Sequence, residues 1–217
     1  SGEDGLAVAV KGGHNAEQHN QNDVGSYSVA LDGVMILCDP GSETYRDSTF
    51  DMRRYLSDAN NSYGHPVPVV NHGLQRNGRE AAARVLAADW QQERDHLALD
   101  LTSVYDVSAL DAVEREYVFE RAGRGRFTVI DTVTATRPLS WETAVITFGE
   151  AEPTDDGWIV RQDGRQVRIR VEVTGGKPSR RRQEALRADF HGRRAQRLCA
   201  GLQHAIAGEI RFTLEAS

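Results

Sequence analysis

The segment from Gly12 to Tyr27 is dense in imidazole, carboxamide and carboxylate side chains. Just before an apolar run begins at Val24, the chain places His14, His19, Asn20, Gln21, Asn22 and Asp23. Side chains of these types bind metals and move protons, and so many in one short segment are not typical of a hydrophobic core. The segment is therefore the first candidate for a functional site.

The spacing within this segment allows several of its side chains to converge. In an extended chain, side chains at 19, 21 and 23 point to one side and those at 20 and 22 to the other. His19, Gln21 and Asp23 would then face the same space.

Asp39 and His65, which lie later in the chain, can join these side chains. Asp39 ends the next hairpin strand, and antiparallel pairing can bring its carboxylate back toward Gln21. His65, just before the apolar run Val67 to Val70, could supply a second imidazole.

A set of imidazole, carboxylate and amide oxygen suits a divalent cation of borderline or hard character, whereas zinc usually takes more nitrogen or sulfur. The alternative is a polar hairpin end whose side chains bond to backbone groups. Spacing alone does not decide between the two.

The elements that must position these residues are predicted to be β-strands. Short β-branched or aromatic runs recur along the chain, separated by Gly, Asp and Asn. Asp32-Gly33 and Asp163-Gly164 have the composition of hairpin turns. We therefore predict an all-β fold, an antiparallel multi-stranded β-sandwich, with residues 1–217 forming a single domain.

Two stretches interrupt the strand pattern. Ser42 to Tyr63 is a long polar connection, and such loops are often functional. Ser179 to Arg197 is rich in arginine and is predicted to be a short helix or an exposed loop, either solvated or in contact with a polyanion. Cys38 and Cys199 lie in apolar runs and are predicted to be buried thiols.

The composition argues against two classes of partner. The net charge is −6, from 26 basic and 32 acidic residues, so phosphate contacts are not expected to dominate and no nucleic-acid partner is predicted. No run approaches the roughly 18 apolar residues of a membrane span, so no membrane partner is predicted.

Three sequence motifs in roughly the first 80 residues resemble a known family. They are KGGHNAEQHNQNDVGSY, then DPG after the Asp-Gly hairpin, then GHPVPVVNHGLQ after a loop containing Tyr and Arg. Together they resemble the C-terminal β-sandwich domain of the heparinase II/III-like polysaccharide lyases.

The resemblance implies roles for particular residues. It places His19 in a catalytic cleft, and it assigns Gln21, Asp39 and His65 to a structural metal site that commonly holds zinc. Gln21 departs from the family pattern, which has histidine there, and an amide oxygen is a weaker and harder ligand. The departure predicts weaker metal binding and a shift toward harder ions.

The resemblance also implies the reaction and the partners. The family cleaves acidic, uronic-acid-containing polysaccharides by β-elimination, and it is periplasmic or secreted. Asn20, Arg53, Arg54 and Tyr55 are the candidate substrate contacts. The catalytic tyrosine belongs to an N-terminal helical toroid of the same polypeptide, so the 217-residue chain alone is expected to be inactive.

A competing hypothesis is a carbohydrate-binding or interdomain scaffold domain without catalysis. It would require aromatic rings exposed on one sheet face. Trp90, Trp141 and Trp158 are the candidates, although hairpin or core packing would also account for them.

Overall fold

A computed structural model of the chain describes residues 4–44 and 51–217. Strands account for most of this part, and every pairing between them is antiparallel. The prediction of an all-β fold is confirmed. Within the described ranges, no helix has the length and apolar character that a membrane span requires.

The first sheet has three strands, β1 (Leu6–Val10), β3 (Tyr27–Leu31) and β4 (Val34–Leu37), in the order β1-β3-β4. The predicted hairpin turn joins β3 to β4. Asp32 and Gly33 both have positive φ, 50° and 79°, as a two-residue type I′ turn requires. Two short strands, β2 (His14–Asn15) and β6 (Gly78–Ala82), pair separately.

The second sheet is much larger, with its main path in the order β11-β12-β13-β16-β10-β9-β8-β7. Short strands β5, β14 and β15 attach to β10 and β16. The strands are β5 (Val69–Val70), β7 (Arg84–Trp90), β8 (Arg94–Asp100), β9 (Leu110–Glu120), β10 (Arg126–Thr147), β11 (Glu150–Pro153), β12 (Gly157–Gln162), β13 (Arg165–Thr174), β14 (Lys177–Pro178), β15 (Arg182–Ala185) and β16 (Gln196–Ala216).

Strand β10 is longer than its sequence pattern predicts. Runs at 126–134 and 144–148 resemble two strands, yet the chain is one strand of 22 residues. The register of its pairing with β16 shifts between Thr134 and Leu139, where Pro138 lacks the N–H that regular pairing needs. Before this irregularity β10 pairs with β9, and after it with β5.

The core lies between the small sheet and the large one, so the molecule is a β-sandwich. The Tyr27 ring of β3 packs edge-on against Tyr117 of β9 and Phe127 of β10, at 6.2 and 5.5 Å between ring centres. All three rings are buried, and burying a large apolar side chain stabilises a fold by roughly 1.5–3 kcal/mol.

The two irregular stretches differ from the predictions in part. The Ser42 to Tyr63 connection contains two 3₁₀ turns, Met52–Leu56 and Ser62–Gly64, while its residues 45–50 lie outside the described part. The arginine-rich stretch from Ser179 to Arg197 is predicted to be a short helix or an exposed loop. This prediction is wrong for Arg182–Ala185, which forms β15 against β16. Cys38 and Cys199 are buried thiols, as predicted.

Candidate functional site

The candidate site lies where three chain segments meet beyond the end of the β3–β4 hairpin. The segments are the loop that ends at Ser26, the chain after β4, and the turn that ends at His65. Asp39 follows β4 and is anchored there, because its backbone N–H donates to the Ser28 hydroxyl at 3.0 Å. Its side chain accepts a hydrogen bond from the Gly41 N–H at 3.2 Å.

His65 reaches the same place through a tightly specified turn. The Asn61 side chain caps the 3₁₀ turn by accepting from the Tyr63 N–H at 2.8 Å. A Cβ on Gly64 would lie 1.9 Å from the Asp58 carbonyl oxygen, so only glycine fits there. Pro66 restricts His65 to extended backbone, observed at φ −113° and ψ 157°. The ring is fully buried.

The His65 and Asp39 side chains meet as an imidazole–carboxylate pair. Nδ1 of His65 lies 2.9 Å from Oδ1 of Asp39. Asp23 completes a group of three in which the potential metal-binding atoms all lie within 4.8 Å of one another. The Lys11 ammonium contacts Asp23 at 2.5 Å, so the cluster combines two carboxylates with one imidazole and one ammonium.

The pKa values in this cluster follow from burial and mutual charge. Burial alone would raise the pKa of Asp39, but the charge and hydrogen bond of His65 lower it to about 2. Burial alone would lower the pKa of His65, but Asp39 and then Asp23 raise it above its usual 6.5. The pKa of Asp23 is raised by its burial, and the nearby Asp39 charge adds to the effect. These shifts favour a protonated His65 beside an ionised Asp39, and His65 would release a proton on binding a metal.

The structure brings together two of the three residues assigned to the metal site. Asp39 and His65 are in contact, whereas Gln21 is half-buried and makes no hydrogen bond to either within the described residues. Asp23, two residues later, provides the third donor. The sequence analysis places Asp23 with His19 and Gln21 through the alternation of an extended segment, but the observed segment contains turns, and it leaves His19 exposed while Asp23 is buried.

The donor set fits a divalent metal. His65 Nε2 and Asp39 Oδ2 are buried and have no partner in good hydrogen-bond geometry within the described part of the chain, although the Ala59 backbone and the Ser26 side chain lie near enough to affect the pKa values of the two residues. Buried polar atoms without partners are rare in proteins, and a metal ion would satisfy both. Carboxylates and imidazole are common zinc ligands, with bond lengths near 2 Å.

His19 is exposed and lies on the same loop as Asp23, four positions before it in the chain. Its φ of 57° is in the left-handed region, which is uncommon for a residue other than glycine. The next residue, Asn20, is buried, and its carbonyl accepts a hydrogen bond from the Arg54 guanidinium. Arg54 also donates to the Asn60 side chain at 3.2 Å. Arg54 thus fixes the backbone next to His19 through the Asn20 carbonyl.

The predicted substrate contacts occupy different environments. Arg53 is exposed, and its guanidinium pairs with the Asp51 carboxylate at 2.6 Å. Arg54 and Tyr55 are half-buried, and the Arg54 guanidinium lies 5.6 Å from the centre of the Tyr55 ring. Arg53 is therefore the most exposed of these side chains and could contact a ligand, whereas the Arg54 guanidinium is hydrogen-bonded to the loop.

Gln75 is a site residue that the sequence analysis missed. Its buried side-chain amide accepts from the Val24 N–H at 3.0 Å and donates to the Val24 carbonyl at 2.7 Å. Its Oε1 also accepts from Asn15 at 3.0 Å, and its backbone N–H donates to the Ser62 hydroxyl at 2.8 Å. Gln75 thus joins the Asp23 loop to the His65 turn.

Comparison with known proteins gives a consistent picture of the fold. No protein-family model and no curated protein sequence matches the chain. The heparinase III BT4657 gene product superposes with a TM-score of 0.79 at 15% identity, over 100% of this chain and 33% of its own. The heparan sulfate lyase HepC from Pedobacter heparinus superposes with a TM-score of 0.71 at 15% identity, over 97% and 33%.

A third solved structure, a heparinase III, superposes with a TM-score of 0.68 at 14% identity. It covers 91% of this chain and 30% of its own length. The chain therefore spans about a third of the length of these lyases. The resemblance inferred from the sequence motifs is confirmed at the level of the fold: the chain has the β-sandwich fold found in heparinase III and heparan sulfate lyase structures.

Proposed function

We propose that this chain is the β-sandwich domain of a polysaccharide lyase that cleaves a uronic-acid-containing polysaccharide by β-elimination. The observation that carries the proposal is an exposed His19 on the same loop as Asp23 of the buried Asp23–Asp39–His65 cluster, on the fold of heparan sulfate lyases. Because the chain spans only a third of those proteins, the rest of the active site would belong to a helical toroid of the same polypeptide.

The proposed chemistry needs a base, an acid and a group that neutralises the substrate. A base removes the proton next to the uronate carboxyl group, positive or hydrogen-bonding groups stabilise the charge that develops, and a protonated leaving oxygen departs. His19 is assigned to the stabilising or assisting role, because its imidazole is exposed to solvent. Arg53 and Tyr55 are assigned to substrate contact, and Asn20 and Arg54 mainly support the loop.

The metal proposal concerns structure rather than the chemical step. Asp39 and His65 would hold a divalent ion, with zinc favoured by resemblance, and Asp23 or Gln21 would complete the ligands. The ion would supply a further cross-link between three chain segments, two of which are already joined by the backbone hydrogen bond from the Asn22 N–H to the Asn60 carbonyl at 3.0 Å. The unpartnered atoms of Asp39 and His65 support this assignment.

The test uses the full-length polypeptide that contains this domain. Lyase turnover on heparan sulfate, heparin and alginate is followed by the ultraviolet absorbance of the unsaturated uronate product. His19→Ala is expected to lower kcat strongly, while Gln18→Ala, an exposed neighbour on the same loop, should leave it unchanged. Full activity of His19→Ala would contradict the role of His19, and no turnover on any uronate polymer would contradict the reaction.

One observation keeps the carbohydrate-binding alternative as a second candidate. Trp141 and Trp158 are buried and cannot present a ring to a sugar, but Trp90 is 63% exposed beside a groove of about 220 Å³. If the domain only binds saccharide, Trp90→Ala should abolish retention on a polysaccharide column while His19→Ala leaves it intact. Under the lyase proposal, His19→Ala should lower turnover strongly, and Trp90→Ala should lower it much less.

A further inference from the structure

Arg115 on β9 and Asp131 on β10 form a fully buried ion pair inside the large sheet. The two residues are direct cross-strand partners in the register of these strands. Each occupies an inward position in an otherwise apolar alternation, with Val113 and Tyr117 flanking Arg115. Burying a charged pair costs free energy that well-packed apolar residues would not, so its presence calls for a specific reason.

The hydrogen bonds of Arg115 supply that reason. A guanidinium has five N–H donors, and all five have an acceptor here. Nε and Nη2 bind the two Asp131 oxygens at 2.6 and 2.7 Å, and Nη2 also binds the Thr143 hydroxyl at 2.9 Å. Nη1 binds the carbonyl oxygens of Gly25 at 2.6 Å and Pro66 at 2.5 Å.

The two carbonyls bonded by Nη1 belong to the segments that carry the cluster. Gly25 lies two residues after Asp23, and Pro66 directly follows His65. One nitrogen atom therefore bridges the two segments next to the cluster, in addition to the links through Gln75, and Asp131 with Thr143 fixes the direction in which that nitrogen points. Gly25 is additionally held by the Tyr117 hydroxyl, which donates to the same carbonyl at 2.6 Å.

We propose that Arg115 is a positioning residue for the Asp23–Asp39–His65 cluster, keeping the carboxylate and imidazole donors at metal-binding separation. The inference builds on the proposed metal site, but the geometry it describes exists without an ion. Lysine could not replace Arg115. An ammonium has three donors on a single atom, so it cannot bond both carbonyl oxygens and also both oxygens of the Asp131 carboxylate.

The test compares three variants. Arg115→Lys removes the bridge. Thr143→Val is nearly isosteric and removes one hydroxyl that bonds Arg115, so it loosens the guanidinium without touching the cluster. Ile169→Ala, a buried apolar residue on β13, is the control for a general loss of stability. Urea unfolding gives the stability of each, calorimetry gives the zinc affinity, and NMR without metal gives the nitrogen resonances of the His65 ring.

We expect Arg115→Lys to lower zinc affinity about tenfold, as changes in groups that orient metal ligands do. We also expect it to shift the His65 resonances. Thr143→Val should produce smaller changes of the same kind, and Ile169→Ala should produce neither. If Arg115→Lys does not fold, Thr143→Val alone decides the question.

Unchanged His65 resonances in a folded Arg115→Lys protein, or in Thr143→Val, would overturn the positioning role. A full-length polypeptide that binds no zinc and has no lyase activity would instead contradict the proposed function. The metal-free His65 signal would still test Arg115 in that case.

Discussion

Nδ1 of His65 lies 2.9 Å from Oδ1 of Asp39, although the two residues are 26 positions apart in the chain. The contact joins the end of the β3–β4 hairpin to the turn that precedes β5. Because the His65 ring is fully buried, the pair is shielded from the solvent screening that weakens surface ion pairs. Removing one partner should therefore be destabilising, because the other charge would be left buried and unpaired.

This contribution should depend on pH in a definite direction. The pKa of His65 is raised in the folded state, so its share of the stability is complete below its unfolded pKa of 6.5 and is lost as the pH rises through the folded value. The pKa of Asp39 is lowered from 3.8 to about 2, so its share is present above 3.8 and is lost as the pH falls toward 2. The pair should stabilise the fold most between these limits.

His65→Gln should remove this pH dependence. Urea unfolding of chelator-treated protein gives the free energy of unfolding. The amount by which the wild type exceeds His65→Gln in this free energy should be larger at pH 5.5 than at pH 9. The expected size is about 1.4 kcal/mol for each unit by which a pKa is shifted. His96→Gln is the control, since the His96 contact with Glu116 is partly exposed to solvent. Equal pH dependence in wild type and His65→Gln would contradict the ion pair.

Lys11 should compete with any cation that binds the cluster. Its ammonium contacts the Asp23 carboxylate and already neutralises part of the negative charge there. Lys11→Gln should therefore raise the affinity for zinc or manganese, and binding should weaken more steeply with added salt because the cluster then carries more net negative charge. Lys177→Gln, an exposed lysine on β14, is the matched control. A divalent affinity that falls or does not change in Lys11→Gln would show that Lys11 does not oppose metal binding.

The sequence predicts the local parts of this structure well. Asp32-Gly33 determines its hairpin because two adjacent residues with positive φ favour that turn, and the residues themselves carry the signal. Spacing and strand pairing allowed Asp39 and His65 to meet, and the resemblance of whole motifs favoured it. Composition and spacing alone did not exclude a polar hairpin end.

The supporting residues of the site could not be predicted, because their partners are distant in the chain. Gln75 bonds Val24 across 51 positions, and Arg115 bonds Pro66 across 49. Alternation along β9 places Arg115 on the buried face, and a charge on that face signals an unusual environment. The pattern does not identify which carbonyls it meets, since that depends on how the sheet and the loops pack.

The last prediction identifies the third metal ligand, which the motif resemblance assigns to Gln21 and the observed geometry favours as Asp23. If Asp23 binds the ion, Asp23→Asn replaces a charged oxygen by a neutral amide and should lower zinc affinity by at least about tenfold. Gln21→Ala should then change the zinc affinity little.

If Gln21 is the ligand, Gln21→His should raise zinc affinity and increase the zinc-dependent rise in melting temperature, because an imidazole binds zinc more strongly than an amide oxygen. Thermal unfolding with and without zinc, and with a chelator control, distinguishes the two. A Gln21→His protein stabilised by zinc no more than the wild type, together with a weakened Asp23→Asn, would assign the position to Asp23.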